Sequence, residues 1–207
     1  VLVTAGPTRE HFDPVRFISN ASSGRMGYAI ALAAVRAGHS VTVVSGPVVL
    51  PPPPGVRVVR VTSAEEMLAA SRRAFRRADA AVFTAAVSDY RPLRRTAQKA
   101  AKSSHVRRVE LAPTVDIAAT LGRAKGRRVT IGFALEDHAG RAHAEQKLRA
   151  KRFDAIVLNG PGNIGSDRAR ADFLVRGGSW RRWGMASKDR LARRIVAAME
   201  ALAAARR

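Results

Sequence analysis

The stretch Pro14-Val15-Arg16-Phe17-Ile18-Ser19-Asn20-Ala21-Ser22-Ser23-Gly24-Arg25-Met26-Gly27 decides the fold through what stands on either side of it. Before it, Val1-Leu2-Val3-Thr4 is a short apolar run, the pattern of a strand buried on both faces. After it, residues 28–38 are rich in Ala and Leu and close on Gly38, where a helix would stop. The stretch is therefore a long connection running from a strand into a helix start. Ser22 or Ser23 can cap that helix by accepting a backbone N–H bond. Gly24 and Gly27 let the backbone approach a ligand closely, and the N–H groups of a helix start favour an anion. Arg16 and Asn20 precede this anion position and can point side chains into it.

Working outward, strand-like and helix-like segments alternate. Residues 41–44 form a second apolar run and 56–61 a third, joined through Pro51–Pro54, an extended connector. The run Thr62-Ser63-Ala64-Glu65-Glu66 carries a capping box, with Thr62 and Glu65 or Ser63 and Glu66 as the pair, and starts a helix reaching about Arg77. Residues 80–86 give a fourth strand, 87–92 a turn, 93–107 a polar basic loop, and 108–112 a short strand. A helix over 116–125 and a strand over 129–135 follow. A helix over 141–153 places Lys147 and Lys151 one turn apart on one face. Then come a strand over 155–158, a turn-rich loop over 159–163, and a hairpin of 172–176 with 180–185 around Gly177-Gly178. Ser187 caps a last amphipathic helix, and Trp180 and Trp183 cover the sheet edge. The alternation predicts one doubly wound α/β domain over residues 1–207, with a mostly parallel sheet and a C-terminal hairpin and helix. Ligands of such sheets lie beyond the carboxyl ends of the strands, which places Asp89 near Asn20.

The chain has 207 residues and no cysteine, which excludes disulfides, thiolate zinc sites and a cysteine nucleophile, and fits a reducing, cytoplasmic setting. No apolar run approaches the roughly 20 residues of a membrane span, and no signal segment opens the chain, so no membrane partner is expected. The formal net charge of +21 attracts anions. Pairs such as Arg72-Arg73, Arg76-Arg77 and Arg127-Arg128 spread that charge along the chain, and aromatic residues for base stacking are few. A solvated basic surface is the better reading than a nucleic-acid groove.

At this point the sequence resembles the phosphopantothenate–cysteine ligase (phosphopantothenoylcysteine synthetase) family in its bacterial form, over nearly the whole chain. Residues 4–10, 13–27 and 85–92 carry the resemblance, with Gln98-Lys99, Gly132-Phe133-Ala134, Lys147-Leu148, Lys151 and Gly165-Ser166-Asp167 in the family's order. The resemblance implies a modified Rossmann-like fold and a homodimer whose substrate site draws on the partner subunit. It also implies coenzyme A biosynthesis from 4′-phosphopantothenate, L-cysteine and CTP, with Mg²⁺. The carboxylate attacks the α-phosphorus of CTP, pyrophosphate leaves, and the cysteine amine then displaces CMP from the acyl-cytidylate. No FMN is expected on this chain; a separate flavin-dependent decarboxylase is the implied partner.

By the same resemblance, Lys99 reaches the nucleotide phosphates and assists cytidylyl transfer, and Lys147 and Lys151 hold the triphosphate. Asn20 and Arg16 serve the acyl group, and Ser22, Ser23, Gly24 and Met26 complete the phosphopantothenate site. Phe83, Thr84, Ala85, Asp89, Phe133 and the turn Val115-Asp116-Ile117-Ala118 match nucleotide-binding positions. Composition adds weight: three of only 6 lysines, against 31 arginines, fall on these positions. Lys99-Ala100-Ala101-Lys102 has one cation fewer than the family's usual run. Thr114-Val115-Asp116-Ile117 and Asn159-Gly160 also depart from the pattern, leaving CTP against ATP open. An NAD(P)-binding oxidoreductase is the alternative, along with a basic nucleic-acid-binding module. Against the oxidoreductase, the first loop lacks Gly-x-Gly-x-x-Gly and no acidic residue closes the second strand.

Overall fold

The structure is a computed structural model describing residues 1–99, 101–102, 106, 108–137 and 139–206. The chain opens with β1 (Leu2–Ala5), a small hairpin β2 (Arg9–His11) and β3 (Phe17–Ser19), and α1 (Arg25–Arg36). It continues through β4 (Thr42–Ser45), β5 (Arg57–Arg60), α2 (Ala64–Phe75), β6 (Ala80–Phe83), β7 (Tyr90–Pro92) and β8 (Leu111–Pro113). Next are α3 (Ile117–Arg123), β9 (Val129–Leu135), α4 (Gly140–Ala150), β10 (Ala155–Asn159), β11 (Arg168–Val175), β12 (Arg181–Ser187) and α5 (Lys188–Ala204).

Eight strands form one sheet in the order β12-β11-β10-β9-β6-β1-β4-β5. The six from β10 to β5 run parallel, and β11 and β12 add an antiparallel hairpin at one edge. From β1 the chain moves outward to β4 and β5, then crosses back to β6 on the other side of β1. The β1–β6 junction is therefore the switch point where an open α/β sheet leaves a crevice.

Both faces are covered, which is why the parallel strands are continuous apolar runs. On one face Val3, Val82, Ile131 and Val157 pack under Ile30 and Ala34 of α1 and Leu191, Ile195 and Met199 of α5. On the other, Leu2, Ala81 and Ile156 pack under Met67 and Leu68 of α2, Ile117 and Leu121 of α3, and Ala144 and Leu148 of α4. Trp183 stacks on Phe173 with ring centroids 4.6 Å apart on the first face. Trp180 packs on the second and donates its indole N–H to Glu145 at 2.8 Å, so both tryptophans cover the hairpin end as expected.

The capping box resolves to Ser63 and Glu66: Ser63 Oγ accepts the Glu66 N–H at 3.2 Å. The Glu66 carboxylate reaches back to the Thr62 N–H at 2.7 Å. Four expectations need correction. Neither Ser22 nor Ser23 caps α1: the helix begins at Arg25, with Gly24 at φ 74° in the cap position and no side-chain cap bond. The expected loop over 14–27 contains half of the β2–β3 hairpin. Its turn is tied by Asp13, whose buried carboxylate accepts the N–H groups of Val15 (2.9 Å) and Arg16 (2.8 Å) and the Arg16 Nε (2.7 Å). The expected turn over 87–92 ends in β7, which pairs with β8 in a second small sheet. The fourth strand stops at Phe83, although Ala86 N still donates to Gly6 O at 2.9 Å. The loop expected over 93–107 lies partly outside the described residues.

Candidate active site

Two cavities adjoin at the carboxyl ends of β1, β6 and β9, one on each face of the sheet, and share Ala21, Ala85, Ala86, Phe133, Leu135 and Ile164 as a common wall. The larger, about 450 Å³, opens on the α2–α3–α4 face. Phe83, Ala85, Asp89, Val115, Asp116, Ile117, Ala118, Phe133, Lys147 and Lys151 all line it, and so does Asn20. The smaller, about 170 Å³, lies at the start of α1 and is lined by Ser22, Ser23, Gly24, Met26 and Thr84. The expected nucleotide and phosphopantothenate positions thus fall into two neighbouring compartments with two exceptions: Thr84, expected at the nucleotide, lies on the second side, and Asn20, expected at the phosphopantothenate, lies on the first. Arg16 and Lys99 line neither: Arg16 sits on the β2–β3 turn with Asp13, and Lys99 is exposed.

Local chemistry explains how each group is held. Gly27 brings α1 down onto the sheet: a Cβ there would stand 2.6 Å from Ala5 Cβ and 2.7 Å from Thr84 Oγ1. The Thr84 hydroxyl is itself fixed, donating to Thr4 O at 2.6 Å. Asn20 follows β3 and donates through Nδ2 to the carbonyls of Val87 (3.0 Å) and Ala86 (3.4 Å), which pins it to the loop after β6. Asp116 caps α3 by accepting the Ala119 N–H at 2.9 Å and also pairs with Lys151 at 2.9 Å. Lys147, one turn earlier on α4, pairs with Glu136 at 2.5 Å. Burial raises the Glu136 pKa, but hydrogen bonds and charge from Lys147 and His143 outweigh it and hold the carboxyl below its ordinary value. Both lysines therefore enter the cavity already paired with carboxylates that an incoming polyanion must displace or join.

Sequence reasoning passed over Glu136, which ends β9 and holds Lys147, and Lys188, which lines the smaller cavity from α5. The scarcity of lysine was the signal available for Lys188. It was an imperfect one, because Lys125, equally rare, pairs with the buried Asp154 away from the cleft. Leu135 and Ile164, shared by both cavities, offered no chemical signal. Among the described residues no group of three or more His, Cys, Asp or Glu is arranged to hold a metal, and no helix is long and apolar enough to cross a membrane.

With this geometry in hand, comparison with known proteins gives consistent matches. Residues 1–202 match the family described as the DNA/pantothenate metabolism flavoprotein C-terminal domain. A protein named "Cysteine/Cysteine sulfinic acid decarboxylase", from an unknown prokaryotic organism, is 42% identical over 202 residues, covering 95% of this chain and 56% of its own length. The Coenzyme A biosynthesis bifunctional protein CoaBC of Bacillus subtilis (strain 168) is 43% identical over 160 residues, covering 77% of this chain and 39% of its own. The chain thus spans about half the length, or less, of these curated relatives. The crystal structure of the C-terminal domain of a bifunctional CoaBC protein superposes with a TM-score of 0.83 at 40% identity, over 97% of this chain and 93% of that one.

Proposed function

The chain belongs to the DNA/pantothenate metabolism flavoprotein C-terminal domain family, and we propose that it joins 4′-phosphopantothenate to L-cysteine by way of an acyl-nucleotide, with CTP as the activating nucleotide. The observation that carries this reading is the meeting of two compartments at the switch point. One is edged by lysines and a helix cap suited to a nucleotide, the other by an uncapped helix start suited to a phosphorylated acid.

A carboxylate acylates an amine only once one of its oxygens can depart, and transfer of a nucleotidyl group achieves that. In the first step a carboxylate oxygen attacks the α-phosphorus and pyrophosphate leaves. Positive charge at Lys147 and Lys151 offsets the charge gathered there, and the backbone ends of β1 and β6 hold the reactants in line. In the second step the amine of cysteine attacks the acyl carbon and CMP departs with the oxygen it received. Asn20, which lines the larger compartment next to Ala21 of the common wall, would orient the acyl group with its amide. The donor set disfavours a metal held by protein alone, since Glu136 and Asp116 are engaged by lysines. It fits Mg²⁺ arriving on the triphosphate, with Asp89 as an exposed carboxylate lining the cavity, and the ion would neutralise the leaving pyrophosphate.

A homodimer belongs to the same reading. Val15, Phe17, Tyr90, Leu93 and Leu111 are exposed on the two small sheets, which are tied together by the Thr96 N–H bond to Phe12 O at 2.9 Å. An apolar patch of this kind calls for a cover. Pairing of two copies there would let Arg16, which lines neither cavity of its own chain, serve the partner's. The setting is cytoplasmic, with the decarboxylase that consumes the product supplied separately. The test is pyrophosphate release measured with CTP, ATP, GTP or UTP, with and without phosphopantothenate. Release only when phosphopantothenate is present, and fastest with CTP, is the expected result. Release indifferent to the acid, or none with any nucleotide, contradicts the reading.

A further inference from the structure

Lys188 stands at the first position of α5, 9% exposed, and lines the smaller cavity. Its ammonium donates to the carbonyl of Asn163 at 3.2 Å. Among the described residues no carboxylate pairs with it directly; Asp167, whose charge it feels, is bound to Arg25. Burial, and after it the charge of Arg25, push the Lys188 pKa below its usual value. An ammonium carries three donors, and leaving buried donors unmet is costly.

One further feature faces the same space. The N–H groups of Arg25, Met26 and Gly27 open α1 without intrahelical partners, and Gly24 provides no side-chain cap. An anionic head between Lys188 and the helix start satisfies both. A cavity of about 170 Å³ has room for a phosphate and the first atoms attached to it.

We propose that Lys188 is a specificity-determining contact for the phosphate end of the acid, closing from α5 a subsite whose opposite wall is the uncapped start of α1. Through it the site prefers the phosphorylated acid to the unphosphorylated one. The proposal rests on the function given above, and adds to it a residue from the far end of the chain. It has a proton signature. An arriving phosphate counters the repulsion from Arg25, so the Lys188 pKa rises on binding, and in alkaline buffer the complex takes up a proton.

Isothermal titration of the full chain with phosphopantothenate, pantothenate and CTP tests this, using Lys188→Met, Lys188→Arg and the wild type. Lys188→Met is expected to weaken phosphopantothenate binding about 10- to 100-fold, the scale of one charge-assisted hydrogen bond. It should leave pantothenate and CTP binding unchanged and abolish proton uptake, read from the dependence of heat on buffer ionisation; Lys188→Arg should restore most of the affinity. Equal losses for both acids would mean that Lys188 only anchors the segment around Asn163, and would overturn the assignment, as would unchanged affinity. If Lys188→Met does not fold, Lys188→Gln, which can keep a bond to Asn163 O, takes its place: unchanged phosphopantothenate affinity, or equal losses for both acids, overturns the proposal. Wild-type chain that binds CTP and neither acid instead contradicts the proposed function itself.

Discussion

Gly27→Ala sets two effects of opposite sign against each other. On an open helix the change stabilises by about 1 kcal/mol, since glycine is the poorer helix former. Here the new Cβ would stand 2.6 Å from Ala5 Cβ, where an ordinary contact needs 3.4 Å. Ala5 cannot yield, because β1 is hydrogen-bonded between β4 and β6, and Thr84 is held by its bond to Thr4 O. The start of α1 must therefore lift by about 0.8 Å, the difference between 3.4 and 2.6 Å. Overpacking of this kind costs about 1–3 kcal/mol. Set against the helix gain it leaves a net loss of roughly 0–2 kcal/mol, a fall of up to about 8 °C in Tm for a chain of this length. The lift matters more for binding. A bond of about 2.9 Å from the helix N–H groups to a phosphate stretched to about 3.7 Å is no longer a hydrogen bond. Phosphopantothenate affinity should fall about 10- to 100-fold while CTP affinity changes little. Thermal unfolding and isothermal titration measure both. A Tm raised by about 2–4 °C with unchanged phosphopantothenate affinity would refute the claim that α1 is pressed onto the sheet to present its N-terminus.

Other outcomes follow from the same geometry. Asn20→Asp should still form the acyl-cytidylate but slow attack by cysteine, since the carboxylate repels the developing oxyanion and loses the Nδ2 bonds to Val87 O and Ala86 O that hold the side chain. Mass spectrometry should then find an intermediate that cysteine scarcely depletes, and normal turnover, or no intermediate in a folded variant that binds CTP, removes that role. Lys99 is exposed and lines neither cavity, so its part in nucleotide activation rests on the family resemblance alone; on that assignment Lys99→Gln should reduce pyrophosphate release by roughly 10²-fold, and near-normal release would leave nucleotide activation to Lys147 and Lys151. Hydrogen bonds from Arg16, opposed by burial, hold the Asp13 carboxyl well below the usual carboxylate range. A depressed folded pKa stabilises above the unfolded value of about 3.9 and ceases to do so as pH falls through the folded one. The Tm difference between wild type and Asp13→Asn should thus stay flat above about pH 4 and narrow below it, and a gap that widens in acid contradicts the sign.

The parallel sheet was legible because strands buried on both faces announce themselves as apolar runs, as in Val41-Thr42-Val43-Val44 and residues 129–135. Of the small sheets only one strand was, the short one expected over 108–112, which lies at Leu111–Pro113. Arg9-Glu10-His11 and Tyr90-Arg91-Pro92 are three-residue polar strands with no alternation to count. What fixes them lies far off in sequence, such as the buried Glu10 accepting the Ala64 N–H at 2.9 Å. The start of α1 was misplaced because serine before a glycine resembles a cap, whereas Ser22 Oγ accepts only a long bond of 3.4 Å from Gly24 N. In the site, residues on contiguous motifs were found together, Ser22 to Met26 in one compartment and Val115 to Ala118 in the other. Glu136 and Lys188 were hidden, because their roles come from partners on other elements, Lys147 on α4 and Asn163 after β10.

In the proposed reaction the acid's own carboxylate oxygen passes to the nucleotide. Phosphopantothenate labelled with ¹⁸O in the carboxylate, incubated with the chain, CTP, Mg²⁺ and cysteine, tests it directly by mass spectrometry of the products. One ¹⁸O atom is expected in the phosphate of CMP and none in pyrophosphate or inorganic phosphate. Label in inorganic phosphate, which would mark an acyl-phosphate route, or CMP free of label while the amide forms, would contradict it.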